Sequence, residues 1–279
     1  MLKFNRVEPG YFIPAMALEK HLSYPSIGND DCFLLEENSQ WFQARNKVLE
    51  YTLIDFPFDG DFIDVGAGNG YQLSFFQKGI FNRLGIKSGM SEPGVVGCTN
   101  AANRRVENVY CCIFDEFPVE EFNIGAIGLF DVIEHIEDDI SFLKDIEKRV
   151  PNGTKIYISV PALQSLWSSE DEYAGHFKRY NRSDVKRILD NTNLKFIYSS
   201  YFFSYYVPFV WLLRVLPEKL GKKYTNEVLA SNEKDYHKRS KKLNSILNFL
   251  HWIEMKLSKI GIKPLFGTSI LLVFSTNEI

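Results

Sequence analysis

The chain has 279 residues, and its hydrophobic content of 45% is enough for a buried core in one enlarged domain or two small ones. A formal net charge of -3 excludes nucleic-acid binding driven by bulk charge, because neutralising phosphates requires a clustered basic face. The four cysteines, at 32, 98, 111 and 112, show neither a C-x-x-C pair nor metal-ligand spacing, so we expect reduced thiols, a cytoplasmic location and no metal site.

The first predicted element is a helix over 34–53, which carries Trp41 and Phe42. From residue 61 onward, short apolar runs alternate with helix-like segments, a pattern typical of a mostly parallel sheet with helices on both faces. Seven strands are predicted, at 61–65, 84–91, 107–113, 124–130, 154–160, 194–200 and 269–275.

The C-terminal part contains an uncharged run and a further helix. The run, 196–213, includes Pro208, three serines and four tyrosines, whereas a membrane span needs about 20 mostly apolar residues. We therefore expect no spanning helix, and contact with a membrane surface stays open. A basic region over 219–242 is expected to be solvated. The next helix, over 241–260, has an apolar stripe that we expect to pack on the core, formed by Leu243, Ile246, Leu247, Leu250, Ile253, Leu257 and Ile260.

The stretch FIDVGAGNG, residues 62–70, places Gly66, Gly68 and Gly70 directly after an apolar run. Glycine adopts positive φ and lets a ligand approach the backbone. The spacing differs from the G-x-G-x-x-G of dinucleotide folds, whose third glycine comes one residue later, and the phosphate-binding G-x-x-x-x-G-K-[ST] is absent. Asp64 would repel a pyrophosphate but attract a ligand that carries an ammonium and a sulfonium. The loop therefore disfavours a nicotinamide oxidoreductase.

This loop and the order of the elements after it resemble the class I S-adenosylmethionine-dependent methyltransferases, roughly over residues 40–200. The resemblance implies S-adenosylmethionine as cofactor, S-adenosylhomocysteine as product and a Rossmann-like α/β fold, with a seven-stranded sheet whose last strand is antiparallel. Three parts follow: an N-terminal segment and covering helix over 1–55, a cofactor-binding core over 56–200, and a helical addition with the last strand over 201–279. The positions assigned to the cofactor are Asp64, Gly66, Ala67, Gly68, Gly70, Glu92, Ile113, Phe114, Phe130 and Asp131.

Two regions carry the assignment of the adenosine part of the cofactor. By resemblance, Glu92 accepts hydrogen bonds from both ribose hydroxyls. Many relatives place an acidic residue near the adenine after the third strand, whereas this chain has Ile113 there. Either Asp115 takes that role, or backbone groups near Ile113 and Phe114 hold the adenine against an apolar wall.

The stretch LFDVIEHIEDD, residues 129–139, closely matches the fourth-strand motif of a large branch of the family. The match implies that Phe130 and Asp131 lie beside the methionine part of the cofactor, with backbone carbonyls facing its ammonium. Glu134 and His135 begin the next helical segment. His135 either packs against the cofactor loop or acts as a base.

The loop after the fifth strand should border the acceptor, because ligands of open α/β sheets bind beyond the carboxyl ends of the strands. Its G-H-F-K-R-Y core at 175–180 resembles a methyltransferase subgroup often encoded near glycosyltransferases. Two further segments carry the same resemblance: W-F-x-x-R at Trp41, Phe42 and Arg45, and the C-terminal KPLFGTSILLVFS.

His176 is the first candidate for a general base, because imidazole titrates near neutral pH; alternatively, it only pins the loop through a hydrogen bond. Tyr180 is the second catalytic candidate, and Asp171 and Glu172 are rivals. Arg179 either binds an anionic acceptor or pairs with one of these two carboxylates. The residues expected on the substrate side are Arg179, Trp167 and His135.

These features predict methyl transfer from S-adenosylmethionine to an oxygen, less readily a nitrogen, of a small-molecule, glycan-like or lipid-linked acceptor. The alternative is a catalytically inactive subunit that binds S-adenosylmethionine and regulates or assembles with a partner. No nucleic-acid partner is expected. An aromatic run after the sixth strand leaves peripheral membrane contact open, and no oligomeric state is predicted.

Overall fold

The computed structural model describes residues 3–14, 33, 35–229, 231 and 241–277. Cys32, the first predicted helical position Leu34 and the basic residues Lys234, Lys238 and Arg239 lie outside the described residues, as do the side chains of Lys241 and Lys242.

One sheet of nine strands runs through the described residues. Its order is β1-β2-β5-β4-β3-β6-β7-β9-β8, and it is parallel from β2 to β7. The last strand is antiparallel to both of its neighbours, as predicted. The strands are β1 (Phe4–Val7), β2 (Tyr11–Pro14), β3 (Asp61–Val65), β4 (Ser88–Ser91), β5 (Val109–Tyr110), β6 (Ile124–Phe130), β7 (Lys155–Pro161), β8 (Lys195–Phe202) and β9 (Ser269–Ser275).

The prediction of seven strands missed the hairpin of β1 and β2. Each of these strands has only four residues, and β1 carries the polar pair Asn5 and Arg6, so neither gives a long apolar run. The hairpin extends the edge of the sheet through a single register pair, Phe12 with Tyr110. Two predicted strands are also shorter than expected, since β4 begins at Ser88 and β5 has two residues.

Helices flank the sheet, and most of them follow a strand. A π turn, Gln77–Phe81, continues α2 into the short turn Asn82–Leu84, and another, Trp211–Val215, joins α7 to α8. Among the described helices, none combines the length and apolar character that a bilayer crossing requires. The helices are α1 (Gln40–Asp55), α2 (Tyr71–Phe76), α3 (Val95–Asn103), α4 (Asp139–Arg149), α5 (Ser169–Tyr173), α6 (Arg182–Asn191), α7 (Val207–Val210), α8 (Leu216–Lys219) and α9 (Lys241–Lys259).

The core has two layers, because successive side chains of a strand point to opposite faces of the sheet. In β3, Phe62 joins one hydrophobic cluster, whereas Ile63 and Val65 join the other. Helices α1 and α2 cover the first cluster, and α4 and α6 cover the second. Their buried contributions include Leu49, Leu73 and Phe76 on the first face and Leu143, Ile146 and Ile188 on the second.

Helix α9 packs on the core through only part of the predicted stripe: Leu247 is buried in the first cluster and Leu243 packs against it. Ile246 is 56% exposed and Ile260 is 72% exposed, while His251 and Glu254 are buried. The Glu254 carboxylate accepts hydrogen bonds from the backbone amides of Phe203 and Ser204, at 2.6 and 2.8 Å. These polar contacts hold the helix in an orientation that its apolar spacing alone does not predict.

Candidate active site

A cavity of about 820 Å³ opens beyond the carboxyl ends of β3, β4, β6 and β7. Its volume lies within the usual range for sites that bind small molecules and cofactors. Helix α1 and the segment from α7 toward α8 form the opposite wall, through residues such as Phe42, Arg45, Val210 and Arg214. The N-terminal and C-terminal parts of the chain therefore both contribute to the lining.

The three glycines of the loop after β3 all adopt left-handed backbone conformations, with φ of 69° at Gly66, 52° at Gly68 and 65° at Gly70. Gly66 and Gly68 line the cavity. A Cβ on Gly66 would lie 2.9 Å from Val132, so the loop packs tightly on the segment after β6. Gly70 is outside the lining and caps α2, where a Cβ would lie 2.7 Å from that of Ala101. The close packing of residue 70 against helix α3 therefore explains why it is a glycine.

Glu92, after β4, holds the glycine loop in place. Its Oε2 accepts a hydrogen bond from Gly68 N at 2.9 Å, and its Oε1 accepts one from Gly94 N at 2.7 Å. Burial raises the pKa of this carboxyl, and the two backbone donors oppose the shift. A carboxylate has about four acceptor positions, so two remain for hydroxyl donors on the cavity side.

Asp64 lies beneath the loop and is 2% exposed. It borders a small cavity of about 50 Å³, shared with Arg45, Ala67 and Phe130, rather than the main one. Burial raises the pKa of Asp64 to about 7; the nearby Arg45 lowers it and Glu92 raises it. Near neutral pH the carboxyl therefore lies close to the midpoint of its titration.

The residues after β5 form the apolar end of the cavity. Ile113 and Phe114 line it, whereas Asp115 is exposed and outside the lining. The Arg149 guanidinium donates hydrogen bonds to the backbone carbonyls of Phe114 and Phe117. This arrangement supports the alternative in which backbone groups, not Asp115, hold an adenine.

Asp131, at the end of β6, adopts φ of 57° and lines the cavity together with Phe130. Its amide donates to the Ser159 carbonyl at 2.8 Å, which fixes the turn. Its Oδ2 pairs with Nη2 of the buried Arg45 at 2.6 Å. Burial raises the pKa of Asp131, and Arg45 opposes the shift. The W-F-x-x-R motif thus connects the covering helix to the end of a core strand.

Asp171 organises the predicted acceptor loop. Its Oδ1 lies 2.9 Å from His176 Nδ1 and accepts a hydrogen bond from Arg179 Nε at 2.8 Å. Arg179 also donates to the Ala162 carbonyl at 3.2 Å. Burial raises the pKa of Asp171, but the bonds from His176 and Arg179 outweigh it and leave the pKa below its ordinary value. Of the two roles considered for Arg179, this structure shows the pair with a carboxylate of the loop, Asp171.

Glu134, His135 and His176 meet at one end of the cavity, although the sequence separates the last from the others. One potential ligand atom from each lies within 4.8 Å of the other two. The Glu134 carboxyl is fully buried and has no hydrogen-bond partner on any other described residue. Burial raises its pKa well above the ordinary value, and Asp131 adds to the shift. Burial also lowers the pKa of His135 to about 4.

Besides Asp64 and Gly70, two further predicted site residues, Trp167 and Tyr180, lie outside the lining of the main cavity. Tyr180 is fully buried, and its hydroxyl lies 2.8 Å from Asp139 Oδ2, which also pairs with Arg187 at 2.5 Å. Trp167 donates to Glu172 Oε1 at 3.4 Å. In this structure both polar groups bind other side chains, so the predicted roles of the two residues stay predictions.

The sequence analysis missed two parts of the site. The side chain of Glu134 received no role, although its position beside His135 in the motif was the available signal. The closure by the C-terminal addition was also missed: Arg214 pairs with Glu170 at 2.7 Å, and Glu218 accepts from Ser169 N at 3.1 Å. No local pattern connects these residues, because they lie far apart in the chain.

Comparison with known proteins identifies the family. A methyltransferase domain family matches residues 34–199, while no curated protein sequence matches significantly. Phosphoethanolamine N-methyltransferase 2 of Haemonchus contortus, in complex with S-adenosyl-L-methionine, aligns with a TM-score of 0.55 at 14% identity. The alignment covers 96% of this chain and 62% of that enzyme, so the chain spans less than two thirds of its length.

A second structure of the same enzyme, with phosphomonomethylethanolamine and S-adenosylhomocysteine, aligns with a TM-score of 0.52 at 15% identity over 95% of this chain and 62% of that one. The complex of the Haloferax volcanii Trm112 methyltransferase activator with a chain described as a methyltransferase aligns at 0.51 and 12% identity, over 91% and 95% of the two chains. At these identities the likeness shows the fold alone. Because the family match extends over more than half of the residues, the chain belongs to the methyltransferase domain family.

Proposed function

We propose that the chain transfers a methyl group from S-adenosylmethionine to an oxygen, less readily a nitrogen, of a small-molecule, glycan-like or lipid-linked acceptor. One observation carries the proposal: the glycine loop with Glu92 and the acceptor loop with His176 open into the same cavity. Two neighbours of the same fold were solved with S-adenosylmethionine or S-adenosylhomocysteine, which supports the choice of cofactor.

The cofactor would lie across the carboxyl ends of β3, β4 and β6. In this arrangement Glu92 accepts hydrogen bonds from the two ribose hydroxyls with its free lone pairs, and Ile113 and Phe114 pack on the adenine. The ionised forms of Asp64 and Asp131 would attract the ammonium, although burial raises the pKa of both carboxyls and Arg45 lies beside them.

The bound cofactor supplies a methyl group on a sulfonium, whose positive charge disperses as the acceptor attacks. Much of the rate can then come from alignment and the exclusion of water. His176 donates from Nδ1 to Asp171, which leaves Nε2 as the acceptor of the proton that an attacking hydroxyl loses. Trp41, Phe42 and Val210 line the opposite wall and limit the access of water.

Calorimetry and a turnover assay test the proposal. We expect S-adenosylhomocysteine to bind and NAD not to bind, and we expect methyl-tritiated cofactor to label a component of cell extract. Binding without turnover would favour the inactive regulatory subunit, and a response to NAD alone would favour an oxidoreductase.

His176→Ala tests the proposed base. It should lower turnover by about 100- to 10,000-fold while cofactor affinity is retained. Glu137→Gln is the control, because Glu137 is an exposed carboxylate outside the cavity lining. Unchanged turnover in His176→Ala would remove the base role without affecting the proposed cofactor.

A further inference from the structure

We propose that Glu134, His135 and His176 bind one divalent transition-metal ion at the acceptor end of the cavity. The three residues offer one carboxylate oxygen and two imidazole nitrogens. Such a mixed donor set suits Zn²⁺, Fe²⁺, Co²⁺ or Mn²⁺ better than Ca²⁺ or Mg²⁺, which prefer oxygen alone. All three residues line the cavity, so the ion would have both an entry path and open coordination positions.

The buried carboxylate is the first reason for this proposal. Glu134 is fully buried, and no other described residue donates a hydrogen bond to either oxygen. Burying such a group without a partner is unfavourable, and buried carboxylates are normally paired or coordinate a metal. Methyl transfer through His176 alone gives Glu134 no role, whereas a cation beside it would.

The orientation of the histidines is the second reason. His176 Nδ1 bonds to Asp171 Oδ1 at 2.9 Å, and a carboxylate in this position fixes a metal-binding histidine with Nε2 as the ligand. The second carboxylate oxygen of Asp171 accepts from Ser168 N at 3.1 Å, so the supporting carboxylate is itself held. A hydrogen bond with the backbone of Gly175 also orients the ring of His135.

The two halves of the cluster are also tied together by the backbone. Phe177 N donates to the Glu134 carbonyl at 2.8 Å, which holds the loop of His176 against the segment of Glu134 and His135. The ligand atoms lie within 4.8 Å of one another, whereas ligands about 2 Å from one ion are roughly 3 to 4 Å apart. Small side-chain rotations would close that difference.

The role of the ion, unlike its binding, rests on the proposed methyl transfer. In that reaction the ion would bind a hydroxyl oxygen of the acceptor and a neighbouring oxygen, so the acceptor class narrows to compounds with two adjacent oxygen donors. A bound divalent ion makes such a hydroxyl more acidic. His176 would then act as a ligand, and the ion would replace it as the group that favours loss of the proton.

Metal titration of the untagged full chain tests the proposal. After dialysis against a chelator, we expect one Co²⁺ per chain to bind, with a visible absorption spectrum typical of nitrogen and oxygen ligands, and Zn²⁺ to displace it. Glu134→Gln and His176→Gln should each weaken Co²⁺ binding by at least about 100-fold. Asp171→Asn, which weakens the support of His176 without removing a metal ligand, should weaken Co²⁺ binding by about 10- to 100-fold.

Glu137→Gln is the matched control, because Glu137 is an exposed glutamate three residues from Glu134, and it should bind Co²⁺ like the wild type. Thermal unfolding of each variant shows whether it folds. If Glu134→Gln does not fold, Co²⁺ binding by His135→Gln and His176→Gln tests the metal site. Absence of Co²⁺ binding to the wild type, or equal binding by all variants, would overturn the proposal.

Calorimetry with S-adenosylhomocysteine on the same chelator-treated samples separates the two proposals. Binding of S-adenosylhomocysteine without any metal binding would leave the methyl transfer standing and refute the metal site. Metal binding at the three residues without binding of S-adenosylhomocysteine would support the metal site and refute the proposed cofactor.

Discussion

Glu92 and Glu134 are both buried glutamates that follow strands of the sheet and line one cavity, yet their surroundings differ. Glu92 accepts two backbone hydrogen bonds, from Gly68 and Gly94. Glu134 accepts none from any other described residue. Glu92 therefore maintains the shape of the glycine loop, whereas the buried Glu134 carboxyl, with no donor or cation beside it, is unfavourable for folding. We therefore propose that the cofactor end of the cavity is preformed, whereas the acceptor end is completed by a ligand that pairs with Glu134.

Among the substitutions that test this comparison, replacing Glu92 should change the free energy of unfolding most. Glu92→Ala leaves the amides of Gly68 and Gly94 without their acceptor, and each unsatisfied buried donor costs about 1–3 kcal/mol. We expect the free energy of unfolding to fall by about 2–4 kcal/mol, measured by urea denaturation, together with the loss of S-adenosylhomocysteine binding. The exposed Glu120→Ala serves as control. A loss no larger than that of the control would show that the loop holds its own shape.

Arg45→Met tests the ion pair that connects helix α1 to Asp131 at the end of β6. The change removes the partner of Asp131 at 2.6 Å, whose side chain is 29% exposed, so the loss should be smaller than for a fully buried pair, about 1–3 kcal/mol. The double variant Arg45→Met/Asp131→Asn should recover part of the loss, because no unpaired charge remains. Arg83→Met, which breaks an exposed pair with Glu50, should cost less than about 1 kcal/mol. Equal losses in Arg45→Met and Arg83→Met would contradict a special role for Arg45.

Glu134→Met should have the opposite sign from Glu92→Ala. It replaces an unsatisfied buried carboxyl with an apolar side chain of similar length, and we expect the metal-free protein to gain about 1–2 kcal/mol in urea denaturation. Glu137→Met, at an exposed position nearby, should change stability little. If Glu134→Met destabilises the protein as much as Glu92→Ala does, the two glutamates are equivalent and the comparison fails.

The protonation of Asp64 should make both stability and S-adenosylhomocysteine affinity depend on pH. Its pKa of about 7 lies far above the 3.8 of an exposed carboxyl, mainly because it is buried; Arg45 and Glu92 are the charged groups that face it. Between these values the native state holds more protons than the unfolded state, so the contribution of Asp64 to stability falls as pH rises through this window. An ammonium requires the ionised form, so S-adenosylhomocysteine should bind about tenfold tighter at pH 8 than at pH 6. In calorimetry, Asp64→Asn should bind S-adenosylhomocysteine more weakly and with less dependence on pH. If the variant keeps the pH dependence of the wild type, a group other than Asp64 is responsible for it.

The sequence predicted three strands of the central sheet well because they are continuous, mostly apolar and buried runs of five to seven residues. The predicted bounds of β3, β6 and β9 agree with the structure. The hairpin of β1 and β2 was missed because it is short and partly polar, and the orientation of α9 depends on hydrogen bonds from a distant backbone segment to Glu254. Periodicity does not report such contacts.

The site residues likewise fall into a group that the sequence predicts and a group that it does not. Gly66, Gly68, Glu92 and Phe114 follow strands that lie next to one another, so the order of the elements is enough to bring them together. The cluster of Glu134 and His176 depends on the path of the loop after β7, which local patterns do not predict. The direction of the Tyr180 hydroxyl was unpredictable for a related reason: its position in the G-H-F-K-R-Y core indicated a role in the loop, but not the bond to Asp139.

Tyr180→Phe gives the smallest expected effect and separates structural support from catalysis at the acceptor end. The change removes one hydrogen bond to Asp139, which keeps its pairs with Lys178 and Arg187, so the loss of stability should be about 1 kcal/mol. Turnover and cofactor affinity should stay unchanged, because the hydroxyl does not face the cavity. A folded Tyr180→Phe protein with turnover reduced as strongly as in His176→Ala would mean that the loop rearranges when the acceptor binds. The proposed contrast between a preformed cofactor end and an unsatisfied acceptor end would then not extend to the protein with its acceptor bound.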